Sequence, residues 1–164
     1  LDPPFLPARM ETTRHFTATV YVVNDGATAL HEHGRLGITI PPGGHVDRDE
    51  LPHEAGKREV AEELGQEPTI LGDAPDVPAP DGFALPTPRY QICYDINVHE
   101  DGSVGHQHID HIYFATVPSR KIDPGSDEAP PEAWDWYTPT ELRASEDIDP
   151  DTTQIGVEAI RDAE

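Results

Sequence analysis

Three glutamates, Glu59, Glu62 and Glu63, stand at positions i, i+3 and i+4, a spacing that gathers them on one helical face within an arc of roughly 100°. Like charges at these spacings cost roughly a few tenths of a kcal/mol per pair in an isolated helix. A hard divalent cation, which prefers oxygen ligands, would turn that repulsion into attraction. Such an ion can neutralise a diphosphate and lower the pKa of a bound water. The flanking residues specify the helix that must carry the glutamates. Pro52 suits its first turn and Gly65 the C′ position that ends it, which gives a span of about 13 residues. Val60 and Leu64, with Gly56 and His53 nearby, supply the packing side, so the three carboxylates are expected on the polar side. Leu51 stands where a Ser or Thr cap would be usual. Ahead of the helix, Gly43 and Gly44 allow the backbone to come close to a ligand.

The order of residues narrows the chemistry. Gly44, five residues, Glu50, seven residues, then Arg58-Glu59-Val60-Ala61-Glu62-Glu63-Leu64-Gly65 resembles the Nudix box, G-x5-E-x7-R-E-U-x-E-E-x-G-U, where U is aliphatic. Every fixed position matches except the last, where Gln66 replaces the aliphatic residue. A chance match in a chain of this composition is on the order of one in a million. The resemblance implies a Nudix-type α/β/α sandwich with a mixed β-sheet. It also implies a metal-dependent pyrophosphohydrolase of the MutT-like kind, cleaving a nucleoside diphosphate linked to another moiety by water attack on phosphorus. Mg²⁺ or Mn²⁺ is the implied cofactor. Glu59, Glu62, Glu63 and the Gly43 carbonyl are the implied metal ligands, with Glu59 also a candidate base. Arg58 would hold a carboxylate through a charge-assisted pair, and Glu50 would support the site from the loop. A further carboxylate downstream is expected, with Glu100, Asp101 and Asp110 as candidates.

Composition bounds the partners. The chain has 164 residues and a formal net charge of −21, from 32 acidic and 11 basic side chains. Such a surface repels nucleic-acid polymers and anionic membranes alike. The acid is spread among aliphatic strands and not collected in one tail, which argues for a folded, soluble protein. Strong surface acidity of this kind suits a halophilic, for instance haloarchaeal, cytoplasm, where salt screens self-repulsion. Length points to one domain over residues 10–164. Leu1–Arg9 reads as a cloning remnant ahead of a natural start at Met10. A homodimer is compatible with this reading.

The remaining elements follow from local pattern. His15–Val23 reads as a buried strand, and Asp25-Gly26 as a tight turn that returns the chain antiparallel over Thr28–Glu32. Leu36–Ile40 gives a short third strand and Thr69–Leu71 another. The proline-rich, acidic stretch Asp73–Arg89 reads as an exposed loop. Tyr90–Val98 and Ile109–Val117 read as strands joined through a loop at His99–His108. After a polar loop at Pro118–Pro131, Trp134–Tyr137 is a short strand. Pro139–Ala144 and Asp151–Asp162 are helices, the second with Ile155, Ala159 and Ile160 on one side.

Other residue types offer competing chemistry. His31 with His33, and His106 with His108, are H-x-H pairs that share a strand face and can chelate, with His111 close by. Without partner cysteines a closed zinc site is less expected than histidines lining a substrate pocket. Cys93 is the one cysteine, so no intramolecular disulfide forms, and its apolar run predicts a buried structural thiol. Trp134 and Trp136 are expected to pack; base stacking is the alternative. A non-catalytic nucleotide sensor of the same fold would be favoured by a damaged box, and this box is intact. An isoprenyl diphosphate isomerase would need a reactive cysteine, and Cys93 lacks the neighbours for one. The box leaves modified nucleoside triphosphates, ADP-ribose and dinucleoside polyphosphates as substrate classes, since residues outside it choose among them.

Overall fold

The computed structural model describes residues 11–34 and 37–164; the expected remnant Leu1–Arg9, the start at Met10 and the first residue of the strand read at Leu36–Ile40 lie outside them. The described residues form eight strands and three α-helices. In chain order these are β1 (Thr13–Asn24), β2 (Ala27–His33), β3 (Ile38–Ile40), β4 (Gly43–His45), α1 (Pro52–Leu64), β5 (Thr69–Ile70), β6 (Tyr90–Val98), β7 (Val104–Thr116), β8 (Trp134–Tyr137), α2 (Pro139–Ala144) and α3 (Pro150–Asp162). One mixed sheet runs β3-β2-β1-β7-β5, with β4 on β1, β6 on β7 and β8 on β2.

The long parallel pairing of β1 with β7 is the spine, running in unbroken register from Thr13↔His106 to Val23↔Thr116. Side chains alternate across it, as a pleated strand requires. Ala18, Val20 and Val22 pack with Tyr113 and Ala115 against Val60 and Leu64 of α1. Tyr21 and Val23 pack with Ile112 and Phe114 against Ile155, Ala159 and Ile160 of α3. The sheet is thus covered on both faces, which makes the α/β/α sandwich. No described helix is long and apolar enough to cross a membrane.

Two turns need backbone that other residues adopt poorly. Asp25 (φ 45°) and Gly26 (φ 76°) close the β1–β2 hairpin in left-handed conformation, as a two-residue hairpin loop demands. Gly65 (φ 68°) caps α1, its N–H donating to Ala61 O; an added Cβ would also meet the Asp123 carbonyl carbon at 3.0 Å.

Three expectations change. Gly43–His45, read as loop, pairs with Thr17–Thr19 as β4, because two glycines hide a strand from any propensity scale. The second strand of the β6–β7 hairpin begins at Val104 instead of Ile109. Cys93 is exposed, because β6 is covered on one face only and Cys93 alternates with Ile92 onto the bare one.

Candidate active site

α1 lies close to the sheet because Gly56 permits it: a Cβ there would fall 2.8 Å from Val20 Cγ2. The same approach brings the glutamates against β4. Gly44 has no side chain where Glu59 lies, and a Cβ at Gly44 would sit 2.6 Å from Glu59 Cδ. The main-chain N–H of Gly43 donates to Glu63 Oε2 at 2.8 Å. Both glycines are therefore sites of close approach, which is the physical content of their place in the motif.

Arg58 organises the polar side. Its Nε and Nη2 form a two-pronged pair with Glu50, at 2.6 and 2.9 Å. Nη1 donates to Glu59 Oε1 at 3.0 Å and to Glu62 Oε2 at 3.3 Å, and Nη2 to the His45 carbonyl at 3.0 Å. Hydrogen bonding from Arg58 holds the Glu50 carboxyl below its ordinary value, and the same bonds raise the guanidinium pKa. Glu50 also accepts from the Asp47 N–H, so it pins the loop and the arginine together. The structure thus brings together Arg58 and Glu50, both candidate residues from the sequence.

The three helix glutamates are not equivalent. Glu62 is the most exposed, Glu59 is half-buried, and Glu63 is 8 % exposed. The expected polar side is closed at Glu63, where His31 of β2, backed by Trp134 of β8, lies beside it. His31 Nε2 lies 3.9 Å from Glu63 Oε1, and His31 stacks on Trp134 with ring centroids 4.4 Å apart. Burial, opposed by the Gly43 hydrogen bond and reinforced by Glu59, Glu128 and Glu62, pushes the Glu63 carboxyl up to about 8. Burial and then His33 hold the His31 imidazole down to about 4. The 3.9 Å approach would be an ion pair only if both groups were charged. Burial drives each to its neutral form, so we read a neutral contact. Burial also raises Glu59, against the pull of Arg58.

The donor set fits a hard divalent cation. Among the described residues the buried Glu63 carboxylate has no cationic partner within bonding distance, Glu59 and Glu62 share one arginine, and every ligand atom is oxygen. Glu59, Glu62, Glu63 and the Gly43 carbonyl are the residues that could hold such an ion.

Asp110 is buried on the α3 side of the sheet, accepting from Thr17 at 3.0 Å and Thr19 at 2.8 Å, so the sheet separates it from α1. Glu100 and Asp101 are exposed in the β6–β7 turn, where Asp101 accepts from Ser103. Besides Glu62 of the same helix, the charge of Glu128 raises both Glu59 and Glu63. Its loop is tied to α1 by the Gly125 N–H, which donates to Glu62 O at 2.8 Å, while the Glu128 N–H closes a turn on Gly125 O. Sequence reasoning missed Glu128 because its segment has no periodicity; the turn glycine three residues before it was the available signal.

Gln66, the one departure from the motif, has a structural role of its own. Its amide donates to the carbonyls of Ser119 and Lys121, both at 2.8 Å, fastening the end of α1 to the loop that leads to Glu128. Trp136 packs: its Nε1 donates to Arg120 O, and the Arg120 guanidinium lies over its ring.

Comparison with known proteins agrees with this geometry. The NUDIX domain family matches residues 13–155. A hydrolase of the NUDIX family from Clostridium perfringens is 29% identical, with a TM-score of 0.78, over 93% of this chain and 99% of that one. A MutT protein from Methanosarcina mazei Go1 shares the fold at a TM-score of 0.61 and 17% identity, over 92% and 95% of the two chains. So does a bifunctional NMN adenylyltransferase/ADP ribose pyrophosphatase from Francisella tularensis, solved with AMP and a Mn ion. Its TM-score is 0.58 at 18% identity, over 94% of this chain and 43% of that one. No curated protein matches in sequence. With the motif on α1, the sandwich around it and a family match across nearly the whole described chain, the protein belongs to the Nudix hydrolase family.

Proposed function

We propose that the protein is a metal-dependent pyrophosphohydrolase that cleaves a nucleoside diphosphate linked to another moiety by water attack on phosphorus. The observation that carries this reading is Glu63, a buried carboxylate set beside Glu59 and tethered to the Gly43 N–H, with no cationic side chain among the described residues bonded to it. Glu59, Glu62, Glu63 and the Gly43 carbonyl would hold Mg²⁺ or Mn²⁺. When bound, the ion supplies charge to the diphosphate oxygens and acidifies a water.

The chain's own residues do the rest. Arg58 fixes Glu59 and Glu62 while Glu50 fixes Arg58, so the carboxylates are oriented before substrate arrives. Glu59, whose pKa is raised by burial, is the base that takes the proton of the attacking water; a carboxylate with a raised pKa does this better than an ordinary one. Glu128 is the additional carboxylate from the loop. The His31–Trp134 wall excludes water beside Glu63. The net charge of −21 makes a salt-rich cytoplasm the setting that this surface suits.

The test is a chromatographic screen of nucleoside diphosphate derivatives with Mg²⁺ and Mn²⁺ at high salt. The expected result is cleavage of at least one derivative to a nucleoside monophosphate and a phosphorylated remainder, abolished by chelator. Full turnover by verified metal-free protein in excess chelator would overturn the reading.

A further inference from the structure

We propose that His15, His45 and His108 form a second metal site, selective for a borderline transition ion such as Zn²⁺, on the face of the sheet opposite the glutamates.

Strand pairing builds this cluster from three separate parts of the sequence. His15 on β1 is in register with His108 on β7. His45 on β4 is opposite Thr17, which is two residues from His15 and so shares its face. That face is the one carrying Tyr21, Ile112 and Phe114 toward α3, whereas Gly44, the neighbour of His45, meets Glu59 on the other side. The three imidazoles each offer a nitrogen within 4.8 Å of the others. His106 adjoins them, its ring centroid 4.6 Å from His15 and 5.1 Å from His108.

The spacing suits coordination. A tetrahedral ion with Zn–N bonds of about 2.0–2.1 Å places ring centroids about 5 Å apart. The centroid separations are 5.0 Å for His45–His108, 5.3 Å for His15–His45 and 6.4 Å for His15–His108. Closure needs only side-chain rotation of the pair that is farthest apart. The neighbouring rings are mostly edge to face, with interplanar angles of 73–89° in the four nearest pairs.

A hydroxyl on β1 also reaches the fourth ring. The Thr13 hydroxyl donates to Gly105 O at 3.2 Å and lies 2.8 Å from His106 Nδ1. In the tautomer with its proton on Nδ1, His106 donates to this hydroxyl and keeps the Nε2 lone pair for a fourth ligand position. An all-nitrogen set disfavours Mg²⁺ and favours Zn²⁺, Ni²⁺ or Cu²⁺. His15 and His45 are exposed and His108 half-buried, so an ion has an open path in. A bound ion would tie β4 to β1 and β7, and the carbonyl of His45 on the same strand accepts from Arg58. The site therefore braces the loop that feeds the glutamates without belonging to their ligand set.

The experiment titrates metal-stripped protein with Zn²⁺ in saturating Mg²⁺, reading stoichiometry, affinity and melting temperature, with Co²⁺ as a spectroscopic substitute. The expected result is one equivalent of Zn²⁺, a raised melting temperature and the visible absorption of four-coordinate Co²⁺. His15→Gln and His108→Gln should each weaken Zn²⁺ at least about tenfold while melting like the parent without zinc. Glu63→Gln and His33→Gln should bind Zn²⁺ as the parent does. Zn²⁺ affinity unchanged in His15→Gln and His108→Gln, or lost in Glu63→Gln or His33→Gln, would overturn the proposal, as would the absence of any Zn²⁺-dependent melting shift in the parent.

Discussion

The main-chain N–H of Gly43 donates to Glu63 Oε2 across twenty residues of sequence, so β4 and the last turn of α1 meet through a carboxylate that burial has pushed up to about 8. An ionised Glu63 has one backbone donor and three carboxylates around it, Glu59 and Glu62 on its own helix and Glu128 on the facing loop, with neutral His31 closing the side. This is a strained charge distribution in the metal-free protein and a favourable one around a cation.

The pH dependence of metal-free stability follows from that. Glu63 has its ordinary value of 4.5 when unfolded and about 8 when folded, so between these values the folded state binds more protons. Stability contributed by the protonated form is fully present below pH 4.5 and is lost as pH rises through 8. Glu63→Gln keeps an acceptor for the Gly43 N–H and removes the titration. Chemical denaturation without metal should therefore find the variant gaining on the parent as pH rises from 5 to 9, by on the order of a few kcal/mol. His31 acts at the other end, since its lowered pKa costs stability as pH falls from 6.5 toward 4, and it does so in both proteins. A parent-to-variant difference independent of pH would mean that Glu63 is not held neutral.

Gly44→Ala separates site geometry from folding. The added methyl would displace the end of the Glu59 side chain, and no backbone atom is among its three nearest neighbours. Its effect on melting should stay within about 1 kcal/mol, while turnover falls at least about tenfold because Glu59 is moved from its bond with Arg58. Gly43→Ala is the contrasting variant: its methyl meets Ala18 O at 2.5 Å, so it should lower the melting temperature markedly. Equal melting losses for the two would contradict this.

Salt should stabilise the fold. With a net charge of −21 the folded chain repels itself, and the Debye length shrinks from about 10 Å at 0.1 M to about 3 Å at 1 M. Melting temperature should rise with KCl over that range. A flat response would remove the halophilic reading and leave the hydrolase intact.

The helix carrying the site was legible because its signals are local: Pro52 at the start, Gly65 at the end, and glutamates spaced by the helical period. Glu63's burial was not legible, because it depends on His31 and Trp134, which reach it only through the β2–β8 pairing. Glu128 was hidden for a similar reason, since a loop brings it to α1 through one hydrogen bond from Gly125. The H-x-H pair at His106 and His108 was visible on its own strand, but His15 and His45 join it only once β1, β4 and β7 are assembled. Cys93 was misread because an apolar run does not tell which face of an outlying strand is covered.

The most direct measurement is the Mg²⁺-induced melting shift and turnover of Glu63→Gln, beside Glu67→Gln as a control just beyond the end of the helix. The account predicts that the variant loses part of the Mg²⁺ stabilisation, since binding to the folded state is what supplies it. Its turnover should fall by a factor equivalent to about 2–4 kcal/mol of barrier, and the control should match the parent in both. Near-normal turnover with an unchanged Mg²⁺ shift in Glu63→Gln would contradict the assignment of this face of α1 as the metal site.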